Sequence, residues 1–89
     1  MRDGELLAIA TGNVQGVGFR ATAKSIADKL RLTGFVRNLP NGSVEICAQG
    51  EKTEIDQFSS LLQKAFPSAK IEASFGNCSQ RHTDFKIIR

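Results

Sequence analysis

The 89-residue chain has no tryptophan, no tyrosine, one histidine, two cysteines and two prolines. Each scarcity removes a class of explanation. Without Trp or Tyr, Phe, Ile, Leu and Val must fill the core, and no evident row of aromatics is available to stack nucleic-acid bases. A lone His82 and the lack of a Cys-x-x-Cys spacing leave no ligand set for zinc. Cys47 and Cys78 carry no partner motif and are expected as reduced, free thiols of a cytoplasmic protein. No stretch approaches the length of a membrane span, and the start, "MRDGELLAIATG", has a charge inside it and only five apolar residues in a row, unlike a signal peptide. The formal charge of +3 mildly favours anionic partners, but the basic residues form no block that would make a polyanion-binding tail.

What is present fits one domain, residues 1–89, with 40% apolar and 24% charged residues. Such a chain buries roughly 60% of the surface its unfolded form exposes. Leu6 to Ala10 reads as a short buried strand. Phe19, Ala23, Ile26, Ala27 and Leu30 fall at offsets of 4, 7, 8 and 11 from the first, one face of a helix. Lys24 and Asp28 form an i,i+4 pair on its other side. "FVRNL" and "SVEICAQ" read as strands joined at Pro40-Asn41-Gly42, a hairpin signal. Val44, Ile46 and Ala48 alternate with Glu45, Cys47 and Gln49, one face buried and one wet. Thr53 is the expected N-cap of a second helix, with Asp56 as a weak capping-box partner. Ile55, Phe58, Leu62 and Ala65 line that helix, and Pro67 follows it. Ala69, Ile71, Ala73 and Phe75 alternate as a strand, and "DFKII" makes a short last one. The order β-α-β-β-α-β, plus a short β, predicts an α+β fold of the ferredoxin-like, split β-α-β kind: an antiparallel sheet of four to five strands with two helices on one face. In that topology the first two strands are parallel with another strand between them, so Arg20 and Asn38 come toward one place.

The stretch with most chemistry is "GNVQGVGFR", residues 12–20, between the first strand and the first helix. A helix start leaves backbone N–H groups without partners and is the positive end of the dipole. Glycines let those groups turn inward as an anion nest, and Arg20 adds a planar fork matched to phosphate oxygens. The loop is not a Walker A sequence, and its fit to G-x-G-x-x-[G/A] is weak because a dinucleotide fold needs more chain. Pattern alone leaves a second reading level with the first: a tight strand-to-helix turn with Arg20 paired to a surface carboxylate. Asn38 shares a face with Val36 and is directed to the glycine-loop side, or else only hydrogen-bonds its own turn. Arg37, His82 and the lysines read as surface groups.

These residues also carry a resemblance. Gly12 to Arg20 matches G-x-V-Q-G-V-x-F-R, Gly34 to Glu45 matches G-[FYW]-V-x-N-x-x-[DN]-G-x-V-E, and Phe85 to Arg89 matches F-x-I-x-R, all signatures of the acylphosphatase family, which the chain resembles over nearly its whole length. Departures are Phe35 for a frequent Trp, Asn41-Gly42 for Asp-Gly, Arg31 for a common glycine after the first helix, and "AFPSA" near a usual Gly-Pro turn. The resemblance implies a hydrolase that cleaves small acyl phosphates to a carboxylate and inorganic phosphate. It implies that Arg20 binds the phosphoryl group with the backbone N–H groups of Gln15, Gly16, Val17, Gly18 and Phe19, and that Asn38 orients the attacking water. A carboxylate leaves without a general acid, so neither metal nor cofactor is expected. Inorganic phosphate is expected to inhibit as product, nucleic acid and membrane are not expected partners, and a monomer is expected. The chain's end at Arg89 favours a free-standing enzyme over an accessory domain of a larger carbamoyl-transfer maturation protein. The alternative is a non-catalytic anion- or phosphoprotein-binding module on the same fold.

Overall fold

A computed structural model describes residues 4–16, 18–74, 78 and 81–88. The elements run β1 (Gly4–Thr11), α1 (Phe19–Lys29), β2 (Thr33–Asn38), β3 (Val44–Gly50), α2 (Lys52–Ala65), β4 (Lys70–Ser74) and β5 (Phe85–Ile88). They form the expected ferredoxin-like arrangement, with the five strands ordered β4-β1-β3-β2-β5. The sheet is mixed and not wholly antiparallel, because β5 pairs parallel with β2, setting Val36 beside Ile87. Phe75, the expected end of the fourth strand, lies outside the described residues.

Alternation decides which residues enter the core. Ala8, Ala10, Val36, Val44, Ile46, Ala48 and Phe85 meet Phe19, Ala23 and Ala27 of α1 and Ile55, Phe58 and Leu62 of α2. The Phe19 and Phe66 ring centroids lie 4.8 Å apart, and those of Phe58 and Phe85 6.1 Å apart. Each buried Phe contributes about 2–3 kcal/mol through the area it removes from water.

Two helix ends differ from expectation. Thr53 does not cap α2. Glu51 holds the N-cap position with extended backbone, and its carbonyl already accepts from the N–H groups of Glu54 and Ile55, so the ladder starts two residues earlier. Arg31, where glycine is common in the family, has φ 58°. It stands at the left-handed position of a Schellman end: Leu32 N–H donates to Ala27 O at 2.9 Å and Arg31 N–H to Asp28 O at 3.2 Å.

The expectation of free thiols is corrected. Cys47 and Cys78 are joined by a disulfide, their Cα atoms 5.9 Å apart. Cys78 does follow the strand beyond β1. However, β4 and β5 lie on opposite edges of the sheet, so the chain between them must cross a sheet face, and the helices occupy the other one. The crossing is pinned along its way. Cys78 N–H donates to Glu5 Oε2 at 2.9 Å, and His82 N–H donates to Gln49 Oε1 at 2.9 Å. The His82 ring, expected at the surface, is half-buried with its centroid 5.5 Å from that of Phe35. Cys47, expected on a wet face, is consequently fully buried. A bridge spanning 31 residues of sequence stabilises by about 3–4 kcal/mol, chiefly by restricting the unfolded chain.

Candidate phosphate-binding site

The loop from Gly12 to Gly18 starts from a buried anchor. Val14 is 1% exposed, an apolar side chain pulled from the loop into the core. Gly16 (φ 77°) and Gly18 (φ 81°) then take left-handed backbone, and a Cβ built on either would meet nothing within 4 Å. Glycine is therefore required there for its backbone, not for space. Gly18 is the N-cap of α1 and offers no side chain to bond the free N–H groups, and the first turn holds no acidic residue. The first ladder bond runs from Thr22 N–H to Gly18 O at 2.9 Å. The N–H groups of Phe19, Arg20 and Ala21 consequently have no intrahelical carbonyl.

These groups border a concavity of about 150 Å³ lined by Val14, Gly16, Gly18, Phe19, Arg20, Ala21 and Ile87. Arg20 is half-buried, and among the described residues no carboxylate forms an ion pair with it. That removes the main support for reading Arg20 as a partner of a surface carboxylate. Arg37, by contrast, is exposed and paired with Glu45 at 2.6 Å. Lys24 is held by Asp28 at 3.0 Å and by Phe85 O at 2.9 Å.

Of the residues expected to hold phosphate, Gly16, Gly18, Phe19 and Arg20 line this concavity together. Val17 lies outside the described residues. Asn38 does not line it; it is exposed at the end of β2, opposite Val44 in β3 and on the Val36 side of the sheet. Gln15 faces the hairpin after β2, where its side-chain amide donates to Leu39 O at 3.0 Å and to Ser43 O at 2.8 Å. Sequence reading missed Val14, Ala21 and Ile87 as walls. Val14 and Val17 are the two apolar side chains of this loop, a signal for a buried anchor that does not choose between them. Nothing local could reveal Ile87, which reaches the loop only through the parallel pairing of β5. Among the described residues no group of three or more His, Cys, Asp or Glu converges as a metal site.

Known proteins resemble this chain over most of its length. The acylphosphatase family model matches residues 7–87. An acylphosphatase from Lactobacillus johnsonii is 45% identical over 88% of this chain and 77% of its own length. The crystal structure of acylphosphatase from Bacillus subtilis superposes with a TM-score of 0.79 at 31% identity, covering 96% of this chain and 98% of that one. The crystal structure of T. kodakarensis HypF matches all of this chain, with a TM-score of 0.82 and 28% identity, through 12% of its own length. Family model, curated relative and superposed structure thus agree, and the chain belongs to the acylphosphatases, which hydrolyse acyl phosphates.

Proposed function

We propose that this chain hydrolyses small acyl phosphates without a metal ion, with Arg20 and the N–H groups of residues 15–19 holding the phosphoryl oxygens and the Asn38 amide orienting the attacking water. One observation carries the reading: a half-buried Arg20 with no carboxylate partner among the described residues, beside the uncapped start of α1. A water oxygen attacks phosphorus as the bond to the acyl oxygen breaks. The carboxylate leaves with the bonding pair, and the water's proton passes to a phosphoryl oxygen. The transition state is loose and spreads charge over the equatorial oxygens, so fixed donors aimed at them supply most of the catalysis.

Asn38's place outside the concavity favours one alternative, a module that binds the anion without turning it over. One experiment separates the two. The purified protein is given an aryl acyl phosphate in the presence of EDTA. Turnover that survives the chelator and is inhibited competitively by inorganic phosphate is expected. Phosphate binding with no turnover would select the binding module. Loss of activity in EDTA, restored by a divalent ion, would overturn the metal-free cradle.

A further inference from the structure

From the loop's own hydrogen bonds we infer that Gln15 is a positioning residue, whose side-chain amide fixes the hairpin carrying Asn38 relative to the phosphate cradle. The inference rests on the reading that Asn38 holds the water. Gln15 lies between Val14 and Gly16, both of which line the concavity, yet its own side chain turns away toward the hairpin. There it meets two carbonyls that have other donors already. Leu39 O accepts from Gly42 N–H at 3.2 Å, and Ser43 O accepts from Leu39 N–H at 2.8 Å. Ser43 is 3% exposed, and its N–H donates to Asn41 Oδ1 at 3.0 Å. The receiving end is therefore a closed, internally bonded turn, and Asn38 is the residue immediately before it.

Two convergent carbonyls need two N–H donors from one atom, which a neutral primary amide supplies and a carboxylate cannot. The sheet already ties the two coarsely, since Ala10 near the end of β1 and Asn38 both pair with Val44. Gln15, which belongs to the cradle backbone and grips the hairpin, adds a direct link beyond the strand ends that sets the fine position of the Asn38 amide. Small errors in such a distance cost rate far more than binding; a misplacement of about 1 Å can cost roughly 10²-fold.

The test uses Gln15→Met, which keeps length and loses both donors, Gln15→Glu, Asn38→Ala and the Gln15→Met/Asn38→Ala double variant. Melting temperature, phosphate Kd, KM and kcat are measured for each. Gln15→Met is expected to lose about tenfold or more in kcat, with phosphate Kd and KM changed by less than about threefold. In the Asn38→Ala background the same substitution should cause no further loss, since the group it positions is gone. Gln15→Glu should be slower still near neutral pH, where an ionised carboxylate faces two carbonyls. It should recover relative to wild type as acidification protonates it and restores one O–H donor. Wild-type kcat in Gln15→Met, or additive loss in the double variant, overturns the positioning role. A parallel fall of phosphate affinity and kcat would place Gln15 in the cradle instead and also overturns it. If Gln15→Met does not fold, the pH recovery of Gln15→Glu decides, and its absence counts against the role. Undiminished turnover in Asn38→Ala alone would sink the reading of Asn38, a result distinct from any of these.

Discussion

The two helices of this protein begin differently, in N-cap backbone and in first-turn charge. At α2 the N-cap is Glu51 in extended backbone, and Glu54 occupies the third helical position, so a negative charge faces the positive end of the dipole. At α1 the N-cap is Gly18 in left-handed backbone, the first turn holds no acid, and the residue equivalent to Glu54 is Ala21. The only charge there is Arg20, of the locally unfavourable sign. The start of α2 has no side-chain cap bond either and carries Lys52 at its first position, but Glu54 sets an acid against the dipole and its N–H already donates to Glu51 O. The other leaves donors and positive potential in place, which an anion would complete.

The largest way to break this comparison is Arg20. Arg20→Ala and Arg20→Lys should both lose roughly 10²–10³ in kcat, about 3–4 kcal/mol, because an ammonium cannot give two parallel N–H bonds to two phosphoryl oxygens. Phosphate affinity should weaken in both, and melting temperatures should hold, since Arg20 is not part of the apolar face of α1. Near-wild-type turnover in Arg20→Lys would mean that charge alone is enough. An intermediate effect is expected when α1 is made to resemble α2. Ala21→Glu supplies the missing acid at the third helical position, so phosphate binding should fall while the unliganded protein gains about 0.3–1 kcal/mol. Phosphate titration and thermal melting of the same sample read both changes. Unaltered affinity would detach the anion from the start of α1. The smallest effect belongs to the reverse change, Glu54→Gln, which should cost about 0.3–1 kcal/mol of stability and leave kcat and phosphate Kd untouched. A change in kcat there would show that the two helix starts are not independent.

Legibility in the sequence followed the range of the interactions. Helix faces, the Asn41-Gly42 turn and the glycine loop were readable because their signals repeat within a few residues. The parallel seat of β5, and with it Ile87 in the concavity wall, depends on a partner far away in sequence. So does the Cys47–Cys78 bridge, which follows from the crossing between sheet edges and not from cysteine spacing. The proposed anion-binding role of the loop was legible in Gly16, Gly18 and Arg20, whereas the turn of Gln15 toward Leu39 and Ser43 was not. A glutamine inside a glycine loop gives no sign of which way its amide faces.

The disulfide also divides the chain as a connected graph. Residues 47 to 78 form a covalent ring that contains most of β3, all of α2 and β4. The glycine loop, the start of α1, Asn38 with its hairpin, and Ile87 all lie on the two open tails. A backbone cut inside the ring leaves one covalent molecule until it is reduced, whereas a cut in the glycine loop separates two pieces at once. The part of the protein proposed to meet the anion is therefore the part that the bridge does not enclose, held in register only by non-covalent contacts.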